Sequence, residues 1–310
     1  MRMYLECIPC FFMQALEAAR LAGADAAAQK AILDDVARRL PDFPLEASPP
    51  EMGRIIHGLI RAHTGNPDPY REIKEKSNRS ADAMSPRLEA LCEGSEDRLL
   101  TAVELAIAGN IIDYGVKNTL DVDAELEKIL SGTRSSSGSE NGRFFQVDRF
   151  RERLARAGTV LYLADNAGET VFDRVLMETM KSLRPDLELI YAVKEKPILN
   201  DALKRDALDS GIPRVAHVMS SGSDAPGTVL SLCSRAFLDI LDIVDLVISK
   251  GQGNFEGLSE IRRGVFFLLM AKCPVIAGDI GCGVGDVVLL YQEGRRQRSK
   301  EDGTKKEVET

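Results

Sequence analysis

The stretch TVLYLADNAGET, Thr159 to Thr170, is a short apolar run without alternation that ends abruptly in an acid, an amide and a glycine. A run of that length and texture suits a strand buried on both faces of a parallel sheet. Its polar end then marks the carboxyl end of the strand, where a helix begins and where ligands collect in such sheets. Four further runs share the texture: Leu187 to Val193, Arg214 to Met219, Asp245 to Ser249 and Val265 to Met270. Helical segments separate several of them. The expected fold class is α/β, a doubly wound and mostly parallel sheet with helices on both sides.

Upstream of this stretch the periodicity changes from strand-like to helical. Apolar positions recur at helical spacing from Cys10 to Leu21, and Asp25 can cap a helix to about Leu40 that Pro41 and Pro44 end. Further helices are predicted from Glu51 to His63, from Tyr70 to Cys92 with a disturbance at Pro86, and from a cap at Ser95 through Ala108. Ser131 to Gly142 (SGTRSSSGSENG) has no apolar residue to bury and reads as a linker or exposed loop. The expected organisation is an all-helical N-terminal domain over residues 1–130, a flexible segment over 131–143, an α/β domain over 144–294 and a mobile, mixed-charge tail over 295–310.

Composition narrows the function classes. The chain has 310 residues, 44% hydrophobic and 28% charged, enough for two domains with ordinary cores. A net charge of −8 argues against a general nucleic-acid binder. No apolar run approaches the ~20 residues of a membrane span, and the best, Val265 to Ala271, stops at Lys272. Six cysteines are too sparse for a disulfide scaffold, and the start of the chain lacks a long apolar signal region. A cytoplasmic protein is expected, with no membrane partner. Cys92 and Cys233 sit in apolar helical patterns and read as core.

Four polar clusters fall at predicted strand ends: DNAGET (165–170), Lys194-Glu195-Lys196-Pro197 with Asn200 and Asp201, SSGSDAPGT (220–228), and KGQGNFE (250–256). Each alone is explained by a helix cap or glycine turn. Four on one rim suggest a shared ligand. Asp165, Asp201 and the amide oxygen of Asn166 are hard donors suited to Mg²⁺, Mn²⁺ or a similar ion. Glycine-rich loops opening helices favour phosphate, and Lys250 can add a point charge for it. The three histidines, His57, His63 and His217, lie in helices or within a strand and do not suggest zinc. No GxxxxGK[ST] loop is present, NAGET carries one glycine of a dinucleotide fingerprint, and GCGVGD (281–286) matches it at two of three. Position 167 is alanine, so no DxD pair starts at Asp165, and Asp165 is better cast as a metal ligand than as a phosphorylated nucleophile.

DNAGE, the aspartate of NDAL, SGSDAPGT, KGQGNFEGL and VFFLLMAKCPVIA together resemble the damage-control phosphatases, a family long filed as domain of unknown function 89. The N-terminal CxxC and AGNIIDYG (108–115) are similar to its prokaryotic, cysteine-bearing subfamily. The resemblance spans nearly the whole chain. It implies a Rossmann-like α/β domain beneath a helical N-terminal part, and a divalent-metal-dependent phosphatase (Mg, Mn, Co or Ni) acting on small phosphorylated metabolites. It also implies metal ligands at Asp165, Asn166 and Asp201, with Glu169 and Lys250 facing substrate and phosphate. An Arg-Thr-x-Lys stretch associated with sugar phosphates is absent. Asp165, Asp201 and Lys250 are the expected catalytic residues. Ser221, Gly222, Asn254, Asn110 and Asp113 are the further candidates for substrate or phosphate contact. Asn110 and Asp113, three apart, share a face at a helix end, which equally suits a helix terminus before Gly115. Cys7 and Cys10 could form a redox pair or, with Cys273 and Cys282, a four-thiolate metal site; packing alone also explains them. Two rival functions keep the same pocket: a non-catalytic binder of metal and phosphometabolite, and a methyltransferase using a nucleoside cofactor.

Overall fold

A computed structural model of the chain describes residues 1–118 and 143–294, with side chains over 1–109 and 143–294. The predicted linker at 131–142, the tail at 295–310 and the side chains of Asn110 and Asp113 lie outside the described residues.

The sheet has six strands: β1 (Thr159–Leu163), β2 (Glu188–Val193), β3 (His217–Ser220), β4 (Leu246–Lys250), β5 (Val265–Met270) and β6 (Val287–Gln292). They lie in the order β3-β2-β1-β4-β5-β6. All neighbouring pairs are parallel except β5 with β6. The five predicted strands are present. The third starts later than expected, because Ile212–Arg214 is a 3₁₀ turn. β6, an antiparallel edge strand, was not anticipated; its VVLLYQ follows a glycine-rich segment that drew attention to its loop instead. The strand order reverses at β1, so β1 and β4 are the neighbours whose following loops diverge. That gap is where a doubly wound sheet opens a crevice.

Both faces of the sheet are covered, which is why the strands are apolar throughout rather than alternating. On one face Val160, Tyr162, Ile248, Phe266 and Leu268 pack against α4 (Arg71–Glu93), α5 (Arg98–Asn118), α6 (Val147–Arg156) and α7 (Thr170–Leu183). Leu161, Leu163, Val247, Phe267 and Leu269 meet α9 (Arg235–Ile243), α10 (Gln252–Leu258) and α11 (Pro274–Ile280) on the other. The short α8 (Lys204–Asp209) follows β2. Each fully buried phenylalanine here contributes roughly 1.5–3 kcal/mol.

Helices α1 (Cys7–Leu21), α2 (Ala26–Arg39) and α3 (Pro49–Thr64) enclose a separate core of Phe11, Ile32, Val36, Met52, Ile56 and Ile60. Asp25 caps α2 as expected, accepting from the Ala28 N–H at 2.8 Å. α3 starts slightly before the predicted Glu51, because Ser48 and Glu51 form a capping box, with the Ser48 N–H donating to Glu51 at 2.7 Å. α4 runs unbroken through Pro86. Residues 82 and 86 are both exposed, so the backbone bond that proline cannot make falls on the wetted side. α5 is capped by Asp97, which accepts from the Leu100 N–H at 3.1 Å, and not by Ser95, whose hydroxyl accepts from Asp97's own N–H. No helix among the described residues is long and apolar enough to cross a membrane.

Candidate functional site

At the carboxyl ends of β1 and β4 lies a cleft of about 230 Å³, lined by Asp165, Asn166, Leu199, Asn200, Asp201, Gly227, Gln252 and Lys272 among others. The backbone itself brings the two aspartates together. The loop after β2 folds back on the loop after β1, so that Asn166 and Asp201 form an antiparallel bridge. The Ala202 N–H donates to the Asp165 carbonyl at 2.8 Å, and the Ala167 N–H to the Asn200 carbonyl at 2.9 Å. A roomier hollow of about 620 Å³ lies between α4 and α8, and three of its four cations are matched by carboxylates: Lys74 with Asp68, Arg71 with Glu75 and Arg205 with Asp209.

Two glycines let the loops close this tightly. Gly251 has φ +79°, and a Cβ there would lie 1.9 Å from Asp165 Oδ2. Gly227 has φ +70°, and its Cβ would lie 2.1 Å from the Gly253 carbonyl oxygen. Its N–H is 3.4 Å from Asp201 Oδ2. Leu199 has φ +45° without being glycine, a conformation that costs about 1–2 kcal/mol.

Beneath the cleft is a second layer of buried charge. Asn166 donates its amide hydrogens to Asp165 Oδ2 at 3.1 Å and Glu169 Oε1 at 2.8 Å, which leaves its carbonyl oxygen as the atom it can offer a cation. Glu169 Oε2 accepts from Lys250 Nζ at 2.8 Å. Lys250 also donates to Asp173 Oδ1 at 2.6 Å, and Asp173 accepts from the hydroxyls of Tyr162 and Tyr191, each at 2.7 Å.

Several sequence expectations need correction. Lys250 is fully buried, with its ammonium held between Glu169 and Asp173, and does not line the cleft. Burial opposes its charge, but the two carboxylates more than offset this and raise its pKa. Glu169 is likewise buried under Asn166, with no exposure. Asn254 clamps backbone: it donates to the carbonyls of Ala164 and Lys250 and accepts from Thr228. Ser221 is buried, and Gly222 packs on Ser234, the cap of α9; neither lines the cleft. All six cysteines are free, and no group of three or more His, Cys, Asp or Glu among the described residues is gathered to hold a metal, so the four thiols do not form one centre. Burial raises the pKa of Cys7, the opposite of what an attacking thiol needs.

Lys272 is the residue that sequence reasoning passed over. It is exposed, lines the cleft, and its charge acts on Asp165. Its N–H donates to Gln252 Oε1 at 3.3 Å. The signal is present in the sequence, since Lys272 follows the end of β5 just as the clusters follow the other strands.

The donor chemistry fits a divalent cation. Asp165, Glu169, Asp173 and Asp201 are buried here beside three buried ammonium groups, Lys194, Lys250 and Lys74, and Lys74 is already paired with Asp68. Lys194 is 3.6 Å from Asp201. Burial, then the charges of Glu169 and Asp201, hold the Asp165 carboxyl well above the ordinary carboxylate range. Burial pushes Asp201 up to about 6, against the opposing pull of Lys194. Hard oxygens carrying excess negative charge, in a cradle that a single Cβ would fill, suit Mg²⁺-like ions. A pKa raised on folding stabilises the metal-free protein fully below about pH 4, and that contribution is lost as pH rises through about 6. The Asp201→Asn variant should therefore gain stability over wild type by about 1–2 kcal/mol more at pH 7 than at pH 5 in chelator, as read by urea unfolding. His57, whose pKa burial lowers to about 4, titrates in both proteins and cancels. An equal difference at the two pH values would contradict the charged state assigned to Asp201.

A family model described as the damage-control phosphatase ARMT1-like domain matches residues 3–288. A damage-control phosphatase of Pyrococcus horikoshii is 33% identical over 297 residues, covering 94% of this chain and 98% of its own length. Another, from Archaeoglobus fulgidus, is 34% identical over 240 residues, 77% of this chain and 81% of the relative. A crystal structure of a DUF89 family protein from P. horikoshii superposes with a TM-score of 0.84 at 30% identity, covering 95% of this chain and all of that one.

Proposed function

The chain belongs to the damage-control phosphatase ARMT1-like family, and we propose that it is a divalent-metal-dependent phosphatase hydrolysing small phosphorylated metabolites in the cleft between Asp165 and Asp201. The observation that supports this most is the pair of desolvated carboxylates joined by the Asn166–Asp201 bridge at the β1/β4 opening. Asp165, Asn166 and Asp201 would hold the ion, which when bound supplies Lewis acidity toward a phosphoryl oxygen and lowers the pKa of a water. Asn166 is kept in its orientation by Glu169, and Glu169 by Lys250. Gly227 and Lys194 steady Asp201. Lys272, on the solvent side, is the cation available to a substrate phosphate. The six free thiols are consistent with a reducing compartment, and we assign the protein to the cytoplasm on that chemistry.

The direct test is phosphate release from p-nitrophenyl phosphate and a panel of small phosphomonoesters, after chelation and re-addition of Mg²⁺, Mn²⁺, Co²⁺ or Ni²⁺. Activity should vanish with the chelator and return with at least one ion. No release with any ion would leave a non-catalytic binder instead. In the same assay Lys272→Gln should lower kcat/KM by about 10–100-fold, the scale of one charge-assisted hydrogen bond to phosphate. The deficit should shrink at high salt, where the wild-type attraction is screened. Because Lys272 is exposed, the melting temperature should not move. A Gln variant with wild-type kcat/KM would remove Lys272 from the phosphate site.

A further inference from the structure

Leu199 is the one non-glycine residue with positive φ among the described residues. It occupies the second position of the turn Ile198–Asp201, which is closed by the Asp201 N–H donating to the Ile198 carbonyl at 3.1 Å. Glycine adopts such a backbone freely, whereas a leucine Cβ is crowded there. The strain therefore needs a compensating contact, and the side chain supplies it. Leu199 packs against the apolar core enclosed by α1, α2 and α3, while the same residue lines the cleft beside Asp201. α3 braces neighbouring parts of the site as well. Arg61 donates to the Pro197 carbonyl at 3.4 Å. Gly53 approaches the loop after β3 so closely that a Cβ would lie 2.8 Å from Pro226.

Resting on the reading of Asp201 as a cation ligand, we propose that Leu199 is a positioning residue through which the α1–α3 layer holds the Ile198–Asp201 turn and so sets the Asp201 carboxylate against Asp165. The turn's carbonyl at Asn200 accepts from the Ala167 N–H at 2.9 Å, so a shift of the turn also moves the segment that carries Asn166. Without the anchor the turn relaxes toward ordinary φ, and the bridge between residues 166 and 201 loosens. The helical layer then contributes to metal affinity without touching the ion.

Three substitutions separate anchoring from strain. Leu199→Gly removes both, Leu199→Ala removes the anchor but keeps the Cβ that disfavours positive φ, and Leu199→Met keeps a long apolar side chain. Mn²⁺ binding is measured by electron paramagnetic resonance for wild type and all three, alongside melting of the metal-free proteins. The Gly and Ala variants should bind Mn²⁺ about 10–100-fold more weakly, as loss of outer support for metal ligands does elsewhere. Leu199→Met should stay within about threefold of wild type, as expected for an isosteric apolar swap. The metal-free Gly variant should melt no lower than the Ala variant, so a purely structural role would leave Mn²⁺ binding by Gly intact. Wild-type Mn²⁺ affinity in Gly and Ala, or a Met variant as weak as Ala, would overturn the positioning role alone. If wild type itself bound no Mn²⁺, the assignment of Asp201 would fall first.

Discussion

Replacing Asp165 with alanine should reduce metal-supported phosphate release by at least about 10³-fold, the scale of deleting a group that fixes transition-state charge. Asp165 lies two residues past the end of β1, just before Asn166 and the 3₁₀ turn Ala167–Glu169, and its carboxylate leaves no room for a Cβ on Gly251. No described neighbour can move into its place, because Glu169 is committed to Lys250 and Asn166. The same residue is costly to the metal-free fold: buried, and beside the charges of Glu169 and Asp201, its ionised form is disfavoured. Asp165→Asn, which preserves shape, should therefore raise the metal-free melting temperature by about 2–5 °C while abolishing activity. A site built for function and not for stability shows that combination. A variant that lost activity through unfolding would show the opposite shift, and one that kept activity would remove Asp165 from the chemistry.

The second large effect is on stability. Lys250→Met should destabilise the protein by about 3–5 kcal/mol, because it leaves Glu169 and Asp173 facing each other in the core without the ammonium between them. Denaturant midpoints measure this directly. Adding Asp173→Asn to the same chain should recover part of the loss, since one of the two stranded charges is then gone. Activity of Lys250→Met should fall too, but through Glu169 and Asn166 rather than through substrate binding. A phosphate-contacting lysine would behave otherwise, with KM rising and the unfolding midpoint unchanged. That outcome would restore the role that the sequence suggested.

The contrast between Lys250 and Lys272 shows what the sequence could and could not convey. Both lysines follow apolar runs, and sequence alone ranks them by their neighbours: one is followed by glycines, the other by Cys-Pro. Depth decides otherwise. Lys250 is still in register with Leu268 and shares its face, so its side chain enters the layer under α7. Lys272 lies two residues past the end of β5, where the rim meets water. Period and composition located the rim, because a strand covered on both faces must be apolar and must end where polar groups begin. They carried no information on which polar side chains turn inward. Asn254 and Ser221 depart from expectation for the same reason: a tight polar loop needs internal hydrogen bonds, and those residues supply them.

The helical portion was legible element by element but not in its grouping. The cap at Asp25 follows from the sequence as expected, whereas the Ser48 capping box starts α3 before Glu51, and Asp97 rather than Ser95 caps α5. Yet α4 and α5 share their core with the sheet, while α1–α3 keep one of their own. Helical periodicity is the same in both cases, so only packing distinguishes them. Leu199 belongs to the same class of fact, since its strained backbone and distant anchor leave no mark on the sequence.

The most direct measurement is anomalous scattering from a crystal soaked in Mn²⁺. The ion should appear in the cleft at about 2.0–2.4 Å from oxygens of Asp165, Asn166 and Asp201, with Lys250 still beneath Glu169. A clean map with no manganese there, or manganese bound elsewhere while phosphate is still released, would contradict it.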